Sequence, residues 1–201
     1  MTNPNIWPPD ITLTGKLAQL ELLSQSHAAD LAEAAADGDL HRLWYTMIPT
    51  ATGVPAEINR RNALRKTGSM MPFAIIDLKS GKAVGMTTYM NIEQAHKRME
   101  IGSTWYRNSV QATGLNTEVK LLMLRHAFET LRCNVIEFRT HFINHQSRRA
   151  IERLGAKLDG ILRNHMIMAD GSLRDTAVYS IIASDWPMVS AHLRWQLEKP
   201  R

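Results

Sequence analysis

Apolar positions repeat every second residue in some segments and every third or fourth in others, and the chain alternates between the two periods. Alternation or short apolar runs predict strands at residues 11–15 (ITLTG), 71–77 (MPFAIID), 82–90 (KAVGMTTYM), 98–106 (RMEIGSTWY), 134–140 (NVIEFRT), 156–168 and 174–182. In the 98–106 strand, strict alternation puts Met99, Ile101, Ser103 and Trp105 on one face, and Glu100, Gly102, Thr104 and Tyr106 on the other. Helical spacing predicts two pieces over 26–43 separated at Gly38, with Trp44, Tyr45 and Met47 next, and a helix from Pro55 to a cap at Gly68. A third helix starts at Glu118 with the stripe Leu121, Leu124, Phe128, Leu131. A fourth runs from an Asn144 cap to Gly155 with Ser147, Ala150, Ile151 and Leu154 on one face. The last covers 184–199, capped by Ser184 or Asp185 with Pro187 in its first turn. Ser80-Gly81 and Asp170-Gly171 read as hairpin turns. Residues 1–10, with Pro8 and Pro9, read as an irregular arm before one domain at 11–199. Early helices, a three-strand meander, then helix, strand, helix and hairpin make an α/β (α+β) fold with a mixed sheet.

Composition narrows the function classes. The chain has 201 residues, 44% of them hydrophobic, which suits one packed domain. Its single cysteine, Cys133, excludes an internal disulfide and a Cys-rich metal site. No run of 18 apolar residues exists and the first residues lack a secretory pattern, so the expected setting is the cytoplasm with no membrane span. The net charge of +5 fits either a nucleic-acid surface or a polyanionic ligand. No alternating aromatic ribbon accompanies the scattered basic residues, which weighs against nucleic acid. Eight histidines raise a metal reading, but His141 and His145 straddle a strand end and a helix start, and His126 and His165 stand apart, so no metal site is expected. The basic helix at 59–66 faces an acidic partner or merely solvent. Trp7, Trp44, Trp186 and Trp195 belong either to the core or to an interface such as that of a homodimer.

Candidate chemistry gathers at two helix starts. The loop QATGLNT (111–117) joins a strand to a helix: Gly114 permits a tight turn, Asn116 tolerates the left-handed region, and Thr117 can cap the helix. Helix starts present unpaired N–H groups and a positive dipole end, so an anion, here a phosphate, is expected at 111–118. Neither a G-x-G-x-x-G fingerprint nor a G-K-[ST] loop is present. The second start carries Asn144, Ser147, Arg148 and Arg149. If the strands before the two starts are parallel neighbours, a long ligand can lie between their ends and touch both.

The order of these pieces, from AVGMTTY and HKRMEIGSTWY through QATGLNTEVKLLMLRHAFE and VIEFRT to NHQSRRAIERLGAKLDG and DGSLRDTAVYSII, resembles the GNAT acyltransferases. It resembles most their RimJ/RimL-like branch, which acetylates ribosomal-protein N-termini. The resemblance implies a single-domain GNAT-like fold whose two middle strands splay apart and admit acetyl-coenzyme A. It implies coenzyme contacts from Trp105 and Tyr106 at the strand end, and from Gln111, Thr113, Gly114, Leu115, Asn116 and Thr117 around the pyrophosphate. Asn144 would bond the pantetheine, with Ser147 near the sulfur and Arg148 beside it. Asn116 stands where Gly or Ala is commoner, and Ile151 stands where many relatives carry a tyrosine acid. The implied reaction is direct attack of a primary amine on the thioester, without a metal or a covalent enzyme intermediate. Glu100, away from the Met99 and Ile101 face, is the candidate base, the alternative being a carboxylate paired with arginine. Ser147 either hydrogen-bonds the leaving sulfur or only binds coenzyme. The acceptor is a protein N-terminal amine or a small-molecule amine; the rival class is a non-enzymatic interaction module.

Overall fold

The computed structural model describes residues 7–38, 44–46 and 48–199. Its strands are β1 (Leu13–Thr14), β2 (Ala18–Leu22), β3 (Met70–Asp77), β4 (Lys82–Glu93), β5 (Arg98–Tyr106), β6 (Val135–His141), β7 (Lys157–Ile167) and β8 (Leu173–Ile182). Its α-helices are α1 (Ala28–Ala36), α2 (Val54–Lys66), α3 (Leu115–Arg125), α4 (His145–Glu152) and α5 (Trp186–Glu198). The strands form one sheet in the order β1-β2-β3-β4-β5-β6-β8-β7. All pairs are antiparallel except β5 with β6. That parallel step follows from the α3 crossover between them. The second helical piece expected near 39–43, Met47 and the first six residues of the arm lie outside the described residues.

Two apolar clusters hold the sheet between layers. On one face Leu20, Phe73, Tyr89, Met99, Ile101, Ile136, Phe138 and Tyr179 pack with Val119 and Met123 of α3, Ile151 of α4 and Leu193 of α5. On the other, Ala74, Met86 and Trp105 pack with Leu31 of α1 and Val54 and Ile58 of α2. Each large buried side chain contributes about 1.5–3 kcal/mol through removal from water. Helices α1 and α2 cover only the β3–β5 part of that second face. The part made by β6, β8 and β7 carries polar residues instead.

Three readings of the sequence change. First, β2 is an additional strand; its turn from β1 is held by Glu118 of α3, whose carboxylate accepts from Lys16, Leu17 and Ala18 N–H at 2.6–2.8 Å. Second, Asp185 is the N-cap position of α5 but makes no side-chain cap there, because its carboxylate takes Lys157 Nζ at 2.9 Å. Third, β5 does not alternate strictly. Trp105 pairs with Met86 and Gly102 with Thr88, so Ser103 and Thr104 both stand opposite Thr87. Ser103 has φ +48°, and this β-bulge moves Trp105 to the α1–α2 face while Thr104 turns toward α3.

Candidate active site

Strands β5 and β6 pair at only three register positions, Arg98 with Val135, Met99 with Ile136 and Glu100 with Glu137. Beyond Glu100 the ladder stops although β5 continues to Tyr106 and β6 to His141. Both strands then lead to helices, α3 and α4, so two helix N-termini flank one opening. The backbone groups that β5 and β6 would have exchanged are left for another partner.

The bulge beside this opening is held from both faces of the sheet by buried cations. From α2, Arg61, only 1% exposed, donates through one guanidinium nitrogen to Thr88 Oγ1 at 2.8 Å and to the Ser103 carbonyl at 3.1 Å, while its Nε pairs with Glu57 at 2.7 Å. From α3, Lys120, 6% exposed, donates to Thr104 Oγ1 at 2.8 Å and Thr87 Oγ1 at 3.2 Å. Among the described residues no acid is paired with Lys120, and burial pulls its pKa down to about 7. A bulge that would otherwise flex is thus fixed by hydrogen bonds that water does not reach. Neither cation was singled out in the sequence; Arg61 reads there as one of several basic residues on a polar helix.

Glu100 occupies the last paired position of β5 and is 5% exposed. Asn91 Nδ2 donates to its Oε2 at 2.7 Å, and Arg139 Nε lies 3.7 Å from the same oxygen. Burial raises its pKa above the ordinary value, against the opposing effects of Asn91, Arg139 and Arg174. Space for its carboxylate exists because residue 102 is glycine: a Cβ there would meet Glu100 Oε1 at 2.7 Å and Met90 Sδ at 2.9 Å. The arginine-linked carboxylate read from the sequence is thus present, through Arg139.

The loop into α3 is built differently from its sequence reading. The helix starts at Leu115 with Gly114 as its N-cap, so Asn116 and Thr117 lie in the first turn and Thr117 is not the cap. Gly114 has ordinary right-handed dihedrals, and the positive φ, +59°, falls on Ala112. Thr113 Oγ1 donates to the Val110 carbonyl at 2.7 Å and accepts from Leu115 N–H at 3.3 Å. Gln111 braces the loop by donating to the Tyr106 carbonyl at 3.2 Å. Gly114 has no side chain to cap α3; with Leu115 N–H taken by Thr113 and Glu118 N–H by the Gly114 carbonyl, the N–H groups of Asn116 and Thr117 are the ones left open to an anion among the described residues. Trp105 lies in the α1–α2 cluster, and among the described residues neither its buried indole N–H nor the buried Tyr106 hydroxyl has a partner.

At the second start, Asn144 caps α4 as expected, its Oδ1 accepting from Ser147 N–H at 3.0 Å. Ser147 is half-buried at the head of the face that continues through Ala150 and Ile151. Arg148 turns under the helix: its Nε donates to the Tyr179 hydroxyl at 2.9 Å, and its guanidinium lies over Phe142 at 4.9 Å. Cys133 is buried, and burial pushes its thiol up to about 11, the wrong direction for a nucleophile.

On the face opposite α3, an aromatic group stands at the end of β6. Trp44, 55% exposed, meets His141 edge-on with ring centroids 5.4 Å apart, and Tyr45 lies 6.5 Å from the same ring. Ile143 N–H donates to His141 Nδ1 at 3.3 Å, which leaves Nε2 as the protonated nitrogen of the neutral ring. Burial lowers the His141 pKa, helped by the charge of Arg174. Glu137, Arg139, His141 and Thr176 follow one another along this face, forming a polar wall beside Glu100.

Comparison with known proteins places this arrangement. A family model described as an acetyltransferase (GNAT) domain matches residues 19–157. Among solved structures, a GCN5-related N-acetyltransferase from Brucella melitensis is 31% identical with a TM-score of 0.85, over 94% of this chain and 86% of that one. RimJ of Mycobacterium smegmatis, solved with CoA-disulfide, is 25% identical with a TM-score of 0.76, over 94% of this chain and 95% of that one. No curated protein sequence matches.

Proposed function

Because the chain belongs to the GNAT acetyltransferase family and is an acetyl-CoA-dependent acetyltransferase, we propose that it acetylates a primary amine by direct attack, with a protein N-terminal amine as acceptor. The observation that carries this reading is the parallel pair that ends at Glu100, with a helix N-terminus on either side of the opening. The residues suit the coenzyme. The start of α3, through the N–H groups of Asn116 and Thr117, offers donors to a diphosphate. Asn144, whose oxygen caps α4, has an amide nitrogen without a partner among the described residues and would donate it to the pantetheine. The coenzyme supplies an activated acetyl group as a thioester.

Glu100 receives the proton of the attacking amine, directly or through one water, and its raised pKa brings it closer to the pKa of its task. The amine nitrogen bonds to the carbonyl carbon, the carbon–sulfur bond breaks, and the electron pair leaves on the thiolate. A backbone N–H at the Ser103 bulge stabilises the developing oxyanion, in a peptide that Arg61 holds through its carbonyl. Ser147, whose hydroxyl is without a partner among the described residues, donates to the departing sulfur. Holding both reactants in one geometry contributes several kcal/mol, on the order of the effect expected from proximity alone. The support for a protein acceptor is the likeness to RimJ.

Free-thiol release from acetyl-coenzyme A, screened over peptides with free or blocked N-termini and over small amines, tests the reading. Free peptides should react and blocked ones should not. Reaction with small amines alone would replace the acceptor, and failure to bind acetyl-coenzyme A by calorimetry at high micromolar concentration would sink the reading.

A further inference from the structure

Arg174 is the one guanidinium of the polar wall without a carboxylate. The face around Glu100 holds the acids Glu100, Glu137 and Asp159, the last bonded by the Ser180 hydroxyl at 3.0 Å, and the arginines Arg98, Arg139 and Arg174. Arg98 pairs with Glu137, and Arg139 pairs with Glu137 at 2.8 Å while lying 3.7 Å from Glu100. Arg174 is half-buried and forms no ion pair among the described residues. Only its Nε is engaged, donating to Thr176 Oγ1 at 3.1 Å.

That anchor is firm. Thr176 is 1% exposed, lies 3.1 Å from His165 Nδ1, and pairs in register with His141 on β6. Trp44 and Tyr45 stand against His141, so Arg174 belongs to the wall that those aromatic rings close. Its charge acts on both Glu100 and His141. A guanidinium taken partly out of water with Glu100 acting on it only from beyond ion-pair distance is incompletely compensated, and its two paired neighbours indicate that the missing contact partner is a ligand group. The free ends of a guanidinium present parallel N–H donors that match a carboxylate in bidentate geometry.

We propose that Arg174 selects acceptors that carry a carboxylate close behind the amine, namely peptide N-termini with an acidic residue among their first few positions or free amino acids. This rests on the proposed function in that Glu100 receives the amine. The acidic group then neutralises the unpaired guanidinium, while the aromatic pair Trp44 and Tyr45 flanks the chain between the two charges. Acceptors with lysine in place of the acid meet an unpaired like charge and are rejected.

The test compares short peptides that are identical except for Glu, Gln or Lys at the second or third position, together with free alanine and ethylamine, the same amine without the carboxylate. Thiol release and equilibrium binding to coenzyme A-loaded protein are both measured. Wild type should favour Glu over Gln by about tenfold in kcat/KM and in affinity, the size of one charge-assisted pair. In Arg174→Gln the ratio should fall to about one, in Arg174→Lys part of it should return, and in Arg174→Glu it should invert toward Lys. Equal treatment of Glu and Gln peptides by wild type, in rate or in binding, overturns the inference while leaving N-terminal acetylation standing. An Arg174-dependent preference for alanine over ethylamine, with no peptide accepted, supports the inference and removes the protein acceptor.

Discussion

Glu100 and Glu137 stand side by side at the last register position of β5 and β6, and only Glu137 is embraced by two arginines. The asymmetry divides their work. Glu137 is an ion-paired fixture of the wall, whereas Glu100, held by an amide and a more distant guanidinium, is free to take a proton. Glu100→Gln should lower kcat by about 10²–10³. The rate of wild type should rise with pH through a pKa above the ordinary carboxylate value, and that limb should vanish in the variant. An unchanged pH–rate profile would assign the proton to another group.

Gly102→Ala tests the space around that carboxylate. The added methyl group meets Glu100 Oε1 and Met90 Sδ, both ends of side chains that can swing away. We expect a modest loss of stability, about 1 kcal/mol or less, with a larger loss of kcat because Glu100 must leave its position. Equal losses in the two measurements, urea unfolding and steady-state kinetics, would contradict this.

Arg61→Met removes one side of the bulge clamp and leaves the Ser103 carbonyl and Thr88 hydroxyl without their donor. The expected cost is about 3–5 kcal/mol in denaturant unfolding, as for other broken buried networks. Thr88→Val keeps the arginine and the Glu57 pair and should cost about 1 kcal/mol, with kcat reduced more than KM is raised. A KM effect alone would mean that the bulge does not serve the chemical step.

Lys120 makes stability depend on pH in an unusual direction. In the unfolded chain it keeps its proton up to about 10.5, whereas in the fold it holds it only up to about 7. Between those values the unfolded state binds more protons, so this contribution to stability rises with pH. Below about 7 both states are protonated and the fold carries the whole cost of the buried charge, on the order of a few kcal/mol. Lys120→Met removes that cost at every pH and also removes two hydrogen bonds. The stability of the variant relative to wild type should therefore be greatest near about pH 6 and decline toward about pH 10, by urea titration. A pH-independent difference would show that the lysine titrates normally.

Asn116→Asp separates the helix from its ligand. A carboxylate in the first turn of α3 improves the interaction with the helix dipole by about 0.3–1 kcal/mol, so the melting temperature should rise. The same charge opposes a diphosphate, so coenzyme A should bind about tenfold more weakly at low salt, with the loss shrinking as salt screens it. Coenzyme affinity indifferent to this change would move the diphosphate away from 114–117.

Elements with uninterrupted periods were legible in the sequence. The Asp170-Gly171 hairpin, the Asn144 cap and the Gly155 stop all depend on local backbone chemistry that particular residues carry. The parallel neighbours β5 and β6 followed from one strand–helix–strand run. The bulge was hidden because a serine, not a glycine, takes the positive φ, and one extra residue reverses every later face of the strand. Arg61, Lys120 and Arg174 were hidden for a different reason. Their meaning lies in partners 42, 16 or two residues away on other strands or the same one, and charge composition assigns such side chains to solvent. The start of α3 was placed late because Leu115 and Asn116 look like loop beside Gly114, although the dihedrals there are already helical.

The carboxylate of Glu118 also sets an order of events during synthesis. It closes the β1–β2 turn through residues 100–102 positions earlier in the chain. While the chain leaves the ribosome, that turn has no acceptor for three of its N–H groups until the first turn of α3 has emerged. β2 can lie along β3 before then, but its outer turn stays loose, and the sheet's first edge is finished only after α3 exists. A nascent chain arrested before residue 118 should therefore expose the β1–β2 segment to protease, and one extended through α3 should protect it.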